Sequence, residues 1–363
     1  MIRIPVTAPS RSYEVLIGSG LVARAGECLA NFLFNKRVFV VTAPPVRKRW
    51  AKPLLQSLTS SGIGTTVLEM PDGERAKRLI TLEALAEKLV HQGADRGATL
   101  IALGGGVVGD VAGFLASIYM RGIDVIQVPT TVLAQVDAAI GGKTGVNLAS
   151  GKNLLGTFHQ PRAVLVDPLV LNTLPEREYR AGLYEALKCG IIGDTGLFRL
   201  FEEKHKEILE REPAVVENVI ADSVRLKASV VSADERECGL RQVLNLGHTI
   251  GHALEAETNY KLLLHGEAVG WGLLAATHIA LSTGKLDSVT AGRIMNAVMG
   301  LGELPRINVK TSGILKRLKF DKKTRQGVIH FVLPREIGKV EIVSDVPETI
   351  VRAAVEEIRK LAN

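Results

Sequence analysis

Between Lys36 and Asp167 the chain alternates short β-branched apolar runs with stretches of helical periodicity. These are RVFVVTA, GTTVLEM, a helical segment across Ala76 to Gln92, ATLIALGGG, a helix after Val107, then IDVIQVPTT and AVLVD. Such a rhythm demands parallel strands joined by crossover helices, because a parallel neighbour is reached only through a long return connection. Binding groups in sheets of this kind collect in the loops at the carboxyl ends of the strands. Beyond Leu174 the apolar spacing becomes helical, over Pro175 to Ile192, Pro213 to Glu237, Gly239 to Glu257, His265 to Thr283 and Val289 to Leu301. GVIHFVLP and KVEIVSD then read as a strand pair, and Pro347 to Leu361 as a closing helix. The expected fold class is α/β plus α, with an α/β domain over residues 1–172 and a mainly helical domain over 173–363.

Composition narrows the partners. With 46% hydrophobic and 23% charged residues the chain can build an ordinary core. Aromatic residues make up only 4%, too few for base-stacking platforms, and the net charge of +7 is dispersed. Its longest basic clusters are Arg47-Lys48-Arg49 and Lys322-Lys323, which suit pockets for small anions better than a nucleic-acid stripe. No nucleic-acid partner is expected. Cys28, Cys189 and Cys238 form no CxxC pair, as in a reducing cytoplasm. The start, MIRIPVTAPSRSYEVLIG, lacks the apolar core of a signal peptide, and the richest apolar stretch, Ala268 to Ala276, is too short to span a bilayer. A soluble, cytoplasmic protein without a membrane partner is the expectation.

Gly104, Gly106 and Gly109 stand in GxGxxG spacing between a strand and a helix, where bare backbone can approach a pyrophosphate at the helix N-terminus. The wiring departs from the usual dinucleotide unit: the acid that should end the next strand is missing, since Asp124 begins that strand and Pro129-Thr130-Thr131 ends it. A glycine-rich turn without a ligand is the alternative. Upstream, Asp72-Gly73-Glu74 supplies acids that are either ribose ligands or turn residues.

In GLRQVLNLGHTIGHALEAE, Arg241, Asn245, His248 and His252 follow at spacings of four, three and four, so one continuous helix would stack them on a single face. A stripe of that polarity costs too much to bury without a ligand. HxxxH lacks the glutamate of HExxH, which disfavours a zincin-type peptidase. His265 opens the next helix, and Glu185 and Lys188 sit at i and i+3 on an earlier one. Two histidines and one carboxylate would leave an open position on a cation such as zinc. Glu185 with Lys188 could equally be a surface ion pair, and His265 a helix-start residue. IGGKTGVNLASGKNLLG reads as a loop carrying Lys143, Lys152 and Asn153, able to gather donors on a phosphate or simply solvated. It lacks Walker-A order, which removes an ATPase reading.

Taken together, DGERAK, GGGVVGD, YMRG, QVPTTVLAQVDAAIGGKTGVN, GKNLLGTFHQP, LPEREYRAGLYEALKCG, LRQVLNLGHTIGH, HGEAVGWG and DKK occur in an order that resembles the 3-dehydroquinate synthases, sugar-phosphate cyclases, from about Asp72 to about Leu333. The resemblance implies a Rossmann-like NAD-binding domain, a catalytic divalent metal, zinc or cobalt, and the shikimate-pathway conversion of 3-deoxy-D-arabino-heptulosonate 7-phosphate (DAHP) to 3-dehydroquinate and phosphate. It implies Glu185, His248 and His265 as metal ligands. NAD would contact Asp72, Glu74, Lys77, Gly105, Gly106, Val107, Asp110, Thr130 and Thr131, with Lys143 and Lys152 alongside. Asp137, Lys143, Lys188, Asn245 and His252 would serve catalysis. Lys152, Asn153, Lys227, Arg241 and Lys322 or Lys323 would bind substrate, with Arg121 reaching it from the other subunit of a homodimer. The run Val41-Thr42-Ala43-Pro44-Pro45 departs from the family in lacking polar residues, and Tyr184 and Ala186 alter the setting of Glu185 and Lys188. Two other classes stand beside this one. A metal-dependent polyol or alcohol dehydrogenase of the iron-dependent or glycerol type would share the build but release reduced cofactor; an anion-binding or nucleotide-sensing protein would not need the metal stripe.

Overall fold

The computed structural model describes residues 1–324 and 328–362, apart from the side chains of 320–324. Two compact units emerge, one of residues 1–174 and 216–236, the other of 175–215 and 237–363.

The first unit holds a seven-stranded sheet. Its strands are β1 (Ile2–Val6), β2 (Tyr13–Ile17), β3 (Arg37–Thr42), β4 (Gly64–Glu69), β5 (Thr99–Gly104), β6 (Asp124–Pro129) and β9 (Ala163–Val166). They run in the order β1-β2-β9-β6-β5-β3-β4, and every pairing is parallel except the hairpin β1-β2. Strands β5 and β9 are buried along their whole length, as expected of parallel strands covered on both faces. The hairpin falls outside the alternation that begins at Lys36; its outer strand carries Pro5, which is tolerated at a sheet edge because no ladder bond is lost there.

One expectation needs correcting here. The segment around Lys143 and Lys152 is an antiparallel hairpin, β7 (Lys143–Leu148) with β8 (Gly151–Phe158), and not an irregular loop. Its small and polar residues concealed a ladder in which Gly145 and Gly156 face each other so closely that a Cβ on Gly156 would lie 2.0 Å from the Thr144 carbonyl oxygen. The returning segment 216–236 is tied to this unit by side chains. Ser232 Oγ accepts from the Thr7 amide at 3.0 Å, and Glu235 accepts from the Ser10 amide at 3.1 Å and Gln160 Nε2 at 2.9 Å.

The second unit is helical around the His265–Ser282 helix, which is buried on nearly every side and packs against the helices Glu176–Gly193, His248–Glu257, Ser288–Gly300 and Glu348–Leu361. A helix apolar all round belongs in the middle of a bundle. The late strands β10 (Phe331–Glu336) and β11 (Lys339–Val343) pair antiparallel.

A second correction concerns the polar stripe. Arg241, Asn245, His248 and His252 do not share one continuous helix: Leu240–Asn245 is a 3₁₀ turn, Leu246 is extended, and an α-helix restarts at His248. Gly247 makes the break, with φ of +80° and a missing Cβ that would sit 3.0 Å from both Leu273 N and Val269 O. Only glycine meets both demands at low cost.

Candidate metal and nucleotide sites

In the second unit, Glu185 and Lys188 occupy successive turns of the Glu176–Gly193 helix, and neither is a surface residue. Their side chains are 0% and 1% exposed, and Lys188 Nζ lies in ion-pair contact with Glu185 Oε2. The surface-pair alternative fails on burial. Glu185 Oε1 is buried without a hydrogen-bond partner, yet His265 Nε2 stands 3.4 Å from it and His248 Nε2 3.6 Å. Ligand atoms about 2.0–2.1 Å from a tetrahedral cation sit about 3.3–3.5 Å from one another, so this separation suits an ion held between them. His252 joins the cluster: ligand atoms of His248, His252 and His265 all lie within 4.8 Å of one another. An orphaned buried carboxylate facing two imidazoles, with a third imidazole beside them, fits a borderline divalent cation.

The electrostatics of Glu185 and His248 fit the same picture, while His265 without a cation beside it holds a proton that a metal would have to displace. Burial opposes the charge on Glu185, but the Lys188 ammonium, with the two imidazoles, holds its carboxyl well below the usual range. Burial, reinforced by Lys188, drives His248 far down, leaving a neutral ring. Burial also works against charge on His265, yet the carboxylates of Glu185 and Glu255 outweigh it and push that ring up to about 10. Arg241 is 1% exposed, and Asn245 Nδ2 donates to Glu237 Oε1 at 2.7 Å.

In the first unit, the β5–helix junction has the geometry that the glycine spacing demands. Gly105 caps the Gly106–Ile118 helix, whose first-turn amides have no partner within the helix. A Cβ on Gly104 would lie 2.5 Å from the Val108 side chain, so the strand can enter the helix this tightly only with glycine. Asp124 is no ribose ligand: it pairs with Arg11 and Arg162, each at 2.8 Å. The Thr130 amide donates to the Gly104 carbonyl at 2.9 Å, and Thr131 Oγ1 accepts from the Ala134 amide at 3.2 Å, fixing the end of β6 beside the junction.

Lys77, only 4% exposed, contacts the Asp110 carboxylate, and its Nζ donates to Asn153 Oδ1 at 2.5 Å. Glu74 Oε1 accepts from Asn147 Nδ2 at 2.7 Å, while Asn147 Oδ1 accepts from the Asn153 amide at 2.8 Å. Glu74 after β4, Asp110 on the helix and the hairpin are thereby one network. Burial pushes the Asp110 carboxyl up against the opposing pull of Lys77. Asp137 lies on the Ala134–Ala138 turn and takes Lys227 Nζ at 2.5 Å on its carboxylate and 2.6 Å on its carbonyl oxygen. Lys143 is exposed and Lys152 half-buried on the hairpin strands, and Arg121 sits at φ of +70° in the turn before β6. Lys322 and Lys323 lie at the end of the Thr311–Thr324 helix, and their side chains fall outside the described residues.

Two acids had no part in the sequence argument. Glu255 falls three residues after His252 and seven after His248, on the same helical face, so the periodicity that drew attention to the histidines could have found it. Glu237 reaches Asn245 from a loop residue with φ of +60°, a placement that no pattern announces.

Residues 67–181 match the family described as 3-dehydroquinate synthase N-terminal, and residues 182–324 that described as 3-dehydroquinate synthase C-terminal. The chain is similar to a 3-dehydroquinate synthase of Koribacter versatilis (strain Ellin345), 55% identical over 100% of this chain and 99% of the relative. It is 51% identical to one of Solibacter usitatus (strain Ellin6076), over 95% and 96%. Among solved structures it resembles the 2-epi-5-epi-valiolone synthase of Streptomyces hygroscopicus subsp. jinggangensis 5008 with NAD+ and Zn2+ bound, at a TM-score of 0.89 and 31% identity over 97% of this chain and 98% of that one. It also resembles 2-deoxy-scyllo-inosose synthase with carbaglucose-6-phosphate, NAD+ and Co2+, at a TM-score of 0.87 and 26% identity over 99% and 100%. An iron-containing alcohol dehydrogenase, at a TM-score of 0.70 and 15% identity over 96% and 98%, shares the fold alone.

Proposed function

The chain belongs to the 3-dehydroquinate synthase family, and from that premise we infer that it converts DAHP to 3-dehydroquinate and phosphate as an NAD- and metal-dependent lyase. The observation that carries this reading is Glu185, fully buried with an orphaned oxygen facing His248 and His265, which suits a Lewis-acid centre.

The chemistry accounts for the residue types. Phosphate lies beta to a carbinol whose intervening C–H is not acidic, and oxidation of the carbinol to a ketone makes it so. NAD, when bound, takes and returns the hydride, and the divalent cation polarises the carbinol and ketone oxygens. His252, beside His248 and His265, would accept the hydroxyl proton, and the Lys188 ammonium would support developing negative charge. After phosphate departs and the ketone is reduced, the hemiketal ring opens and the enolate closes on the exposed ketone in an intramolecular aldol step. Asn245, oriented by Glu237, contributes an amide.

Glu185, His248 and His265 are the residues that would hold the metal. Asp72, Glu74, Lys77, Gly105, Gly106, Val107, Asp110, Thr130 and Thr131 would hold NAD, with Lys143 and Lys152 beside them. Arg241 and Lys227, the latter held by Asp137, would take the substrate carboxylate; Lys152, Asn153 and Lys322 would take the phosphate. The assembly inferred is a homodimer in which Arg121 serves the partner's site, and the location inferred is the cytoplasm.

The test is phosphate release from DAHP with NAD and zinc or cobalt supplied, in parallel with absorbance of reduced cofactor. Stoichiometric phosphate without net NADH is expected, lost on chelation and restored by readdition of the metal. Sustained NADH production from a polyol would overturn the reading in favour of a dehydrogenase. Cyclisation of glucose 6-phosphate or sedoheptulose 7-phosphate, with none of DAHP, would move it to another cyclase.

A further inference from the structure

His265 is flanked by carboxylates on both ring nitrogens: Nε2 stands 3.4 Å from Glu185 Oε1 and Nδ1 3.2 Å from Glu255 Oε2. A neutral imidazole carries its proton on one nitrogen and a lone pair on the other, and an acceptor beside one nitrogen decides which. His248 has such an acceptor in the Leu246 carbonyl, 3.1 Å from its Nδ1. The extended residue before Gly247 supplies that carbonyl, so the break in the stripe fixes the first ring. His265 opens its helix at N1, where among the described residues no carbonyl is in hydrogen bond to its ring; Glu255 reaches in from the neighbouring helix as the acceptor, with 2% of its surface exposed.

We propose that Glu255 is a positioning residue that accepts a hydrogen bond from Nδ1–H of His265, fixing the tautomer whose Nε2 lone pair faces Glu185 and so setting the affinity of the site for a divalent metal. The proposal rests on the metal reading of Glu185, His248 and His265. Carboxylate–histidine pairs of this kind characteristically govern metal affinity by about ten- to a hundredfold. They do so by orienting the ring and raising the basicity of the nitrogen that binds.

The experiment is a competition titration of zinc against a chromophoric chelator, with the visible spectrum of the cobalt-loaded protein as a second readout, on the wild type, Glu255→Leu, Glu255→Gln and Glu185→Ala. Glu255→Leu removes the acceptor at similar bulk and is expected to weaken zinc by about ten- to a hundredfold and to alter the cobalt bands. Glu255→Gln keeps an acceptor oxygen and is expected to recover most of that loss. Equal weakening in both variants would overturn the tautomer role, and so would wild-type affinity in Glu255→Leu. Nitrogen chemical shifts of His265 in wild-type protein, assigned by comparison with His265→Gln, decide the matter even if the variants misfold. A protonated Nδ1 with a metal-shifted Nε2 is expected, and the reverse overturns the proposal. The metal reading fails separately, if the wild type binds zinc no more tightly than Glu185→Ala.

Discussion

Gly247→Ala is the substitution for which the cost can be worked most directly. An L-residue at φ of +80° gives up about 1–2 kcal/mol relative to glycine. The added methyl would also meet two backbone atoms at 3.0 Å, Leu273 N and Val269 O, and backbone cannot swing aside as a flexible side-chain tip can. Overpacking of that kind adds about 1–3 kcal/mol, for a total of about 2–5 kcal/mol. The contact is closed from the other side too, since a Cβ on Gly272 would lie 1.8 Å from the Gly247 carbonyl oxygen. His248 follows immediately, so relief of the clash displaces a ring of the histidine cluster proposed to hold the metal. Urea unfolding of metal-free protein, read through Trp271 in a Trp50→Phe background, reports this helical unit alone. Destabilisation in that range and metal binding at least about tenfold weaker are expected. Gly247→Asn separates the two causes, because Asn tolerates positive φ but still carries a Cβ. Stability within about 0.5 kcal/mol of the parent for Gly247→Ala, with unchanged metal affinity, would refute the argument.

Two further outcomes follow from the first unit. Lys77→Met removes the charge between Asp110 and Asn153 and is expected to cost NAD binding about 1.5–3 kcal/mol, roughly ten- to a hundredfold in Kd by calorimetry, with zinc affinity unchanged; parental NAD affinity would remove Lys77 from the nucleotide site. If the site is shared across a homodimer as proposed, mixing Arg121→Ala chains with Glu185→Ala chains is expected to restore activity once subunits exchange, because one site of a mixed dimer would then have both native residues. No recovery in confirmed heterodimers would end the role in trans.

Periodicity carried the sequence reading a long way. The runs that form β3, β5, β6 and β9 are parallel strands buried on both faces, and a near-continuous apolar run is the pattern a sequence reveals best. Glu185 with Lys188 was legible as a pair, but spacing is blind to burial, and it is burial that separates a metal-site carboxylate from a solvated ion pair. The stripe from Arg241 to His252 misled for a related reason. Spacings of four and three are compatible with one helix, and the glycine that divides it is written in the sequence, but the need for glycine arises from the Val269–Leu273 backbone, far along the chain. The β7–β8 hairpin was hidden because strands of Gly, Lys, Asn and Thr lack the apolar alternation by which strands are recognised.

The return of residues 216–236 to the first unit gives that unit a timetable during synthesis. A nascent chain that has emerged as far as Leu174 has all seven strands of the sheet, but Asp137 still awaits Lys227, and Ser10 and Gln160 await Glu235. At about 5–20 residues per second the missing segment follows several seconds later, long after a sheet of this size can begin to collapse. The α/β unit therefore waits, incomplete, while the first helices of its neighbour are made. A fragment ended at Leu174 would be an unfinished unit, lacking the lysine and the glutamate that its own loops are shaped to receive.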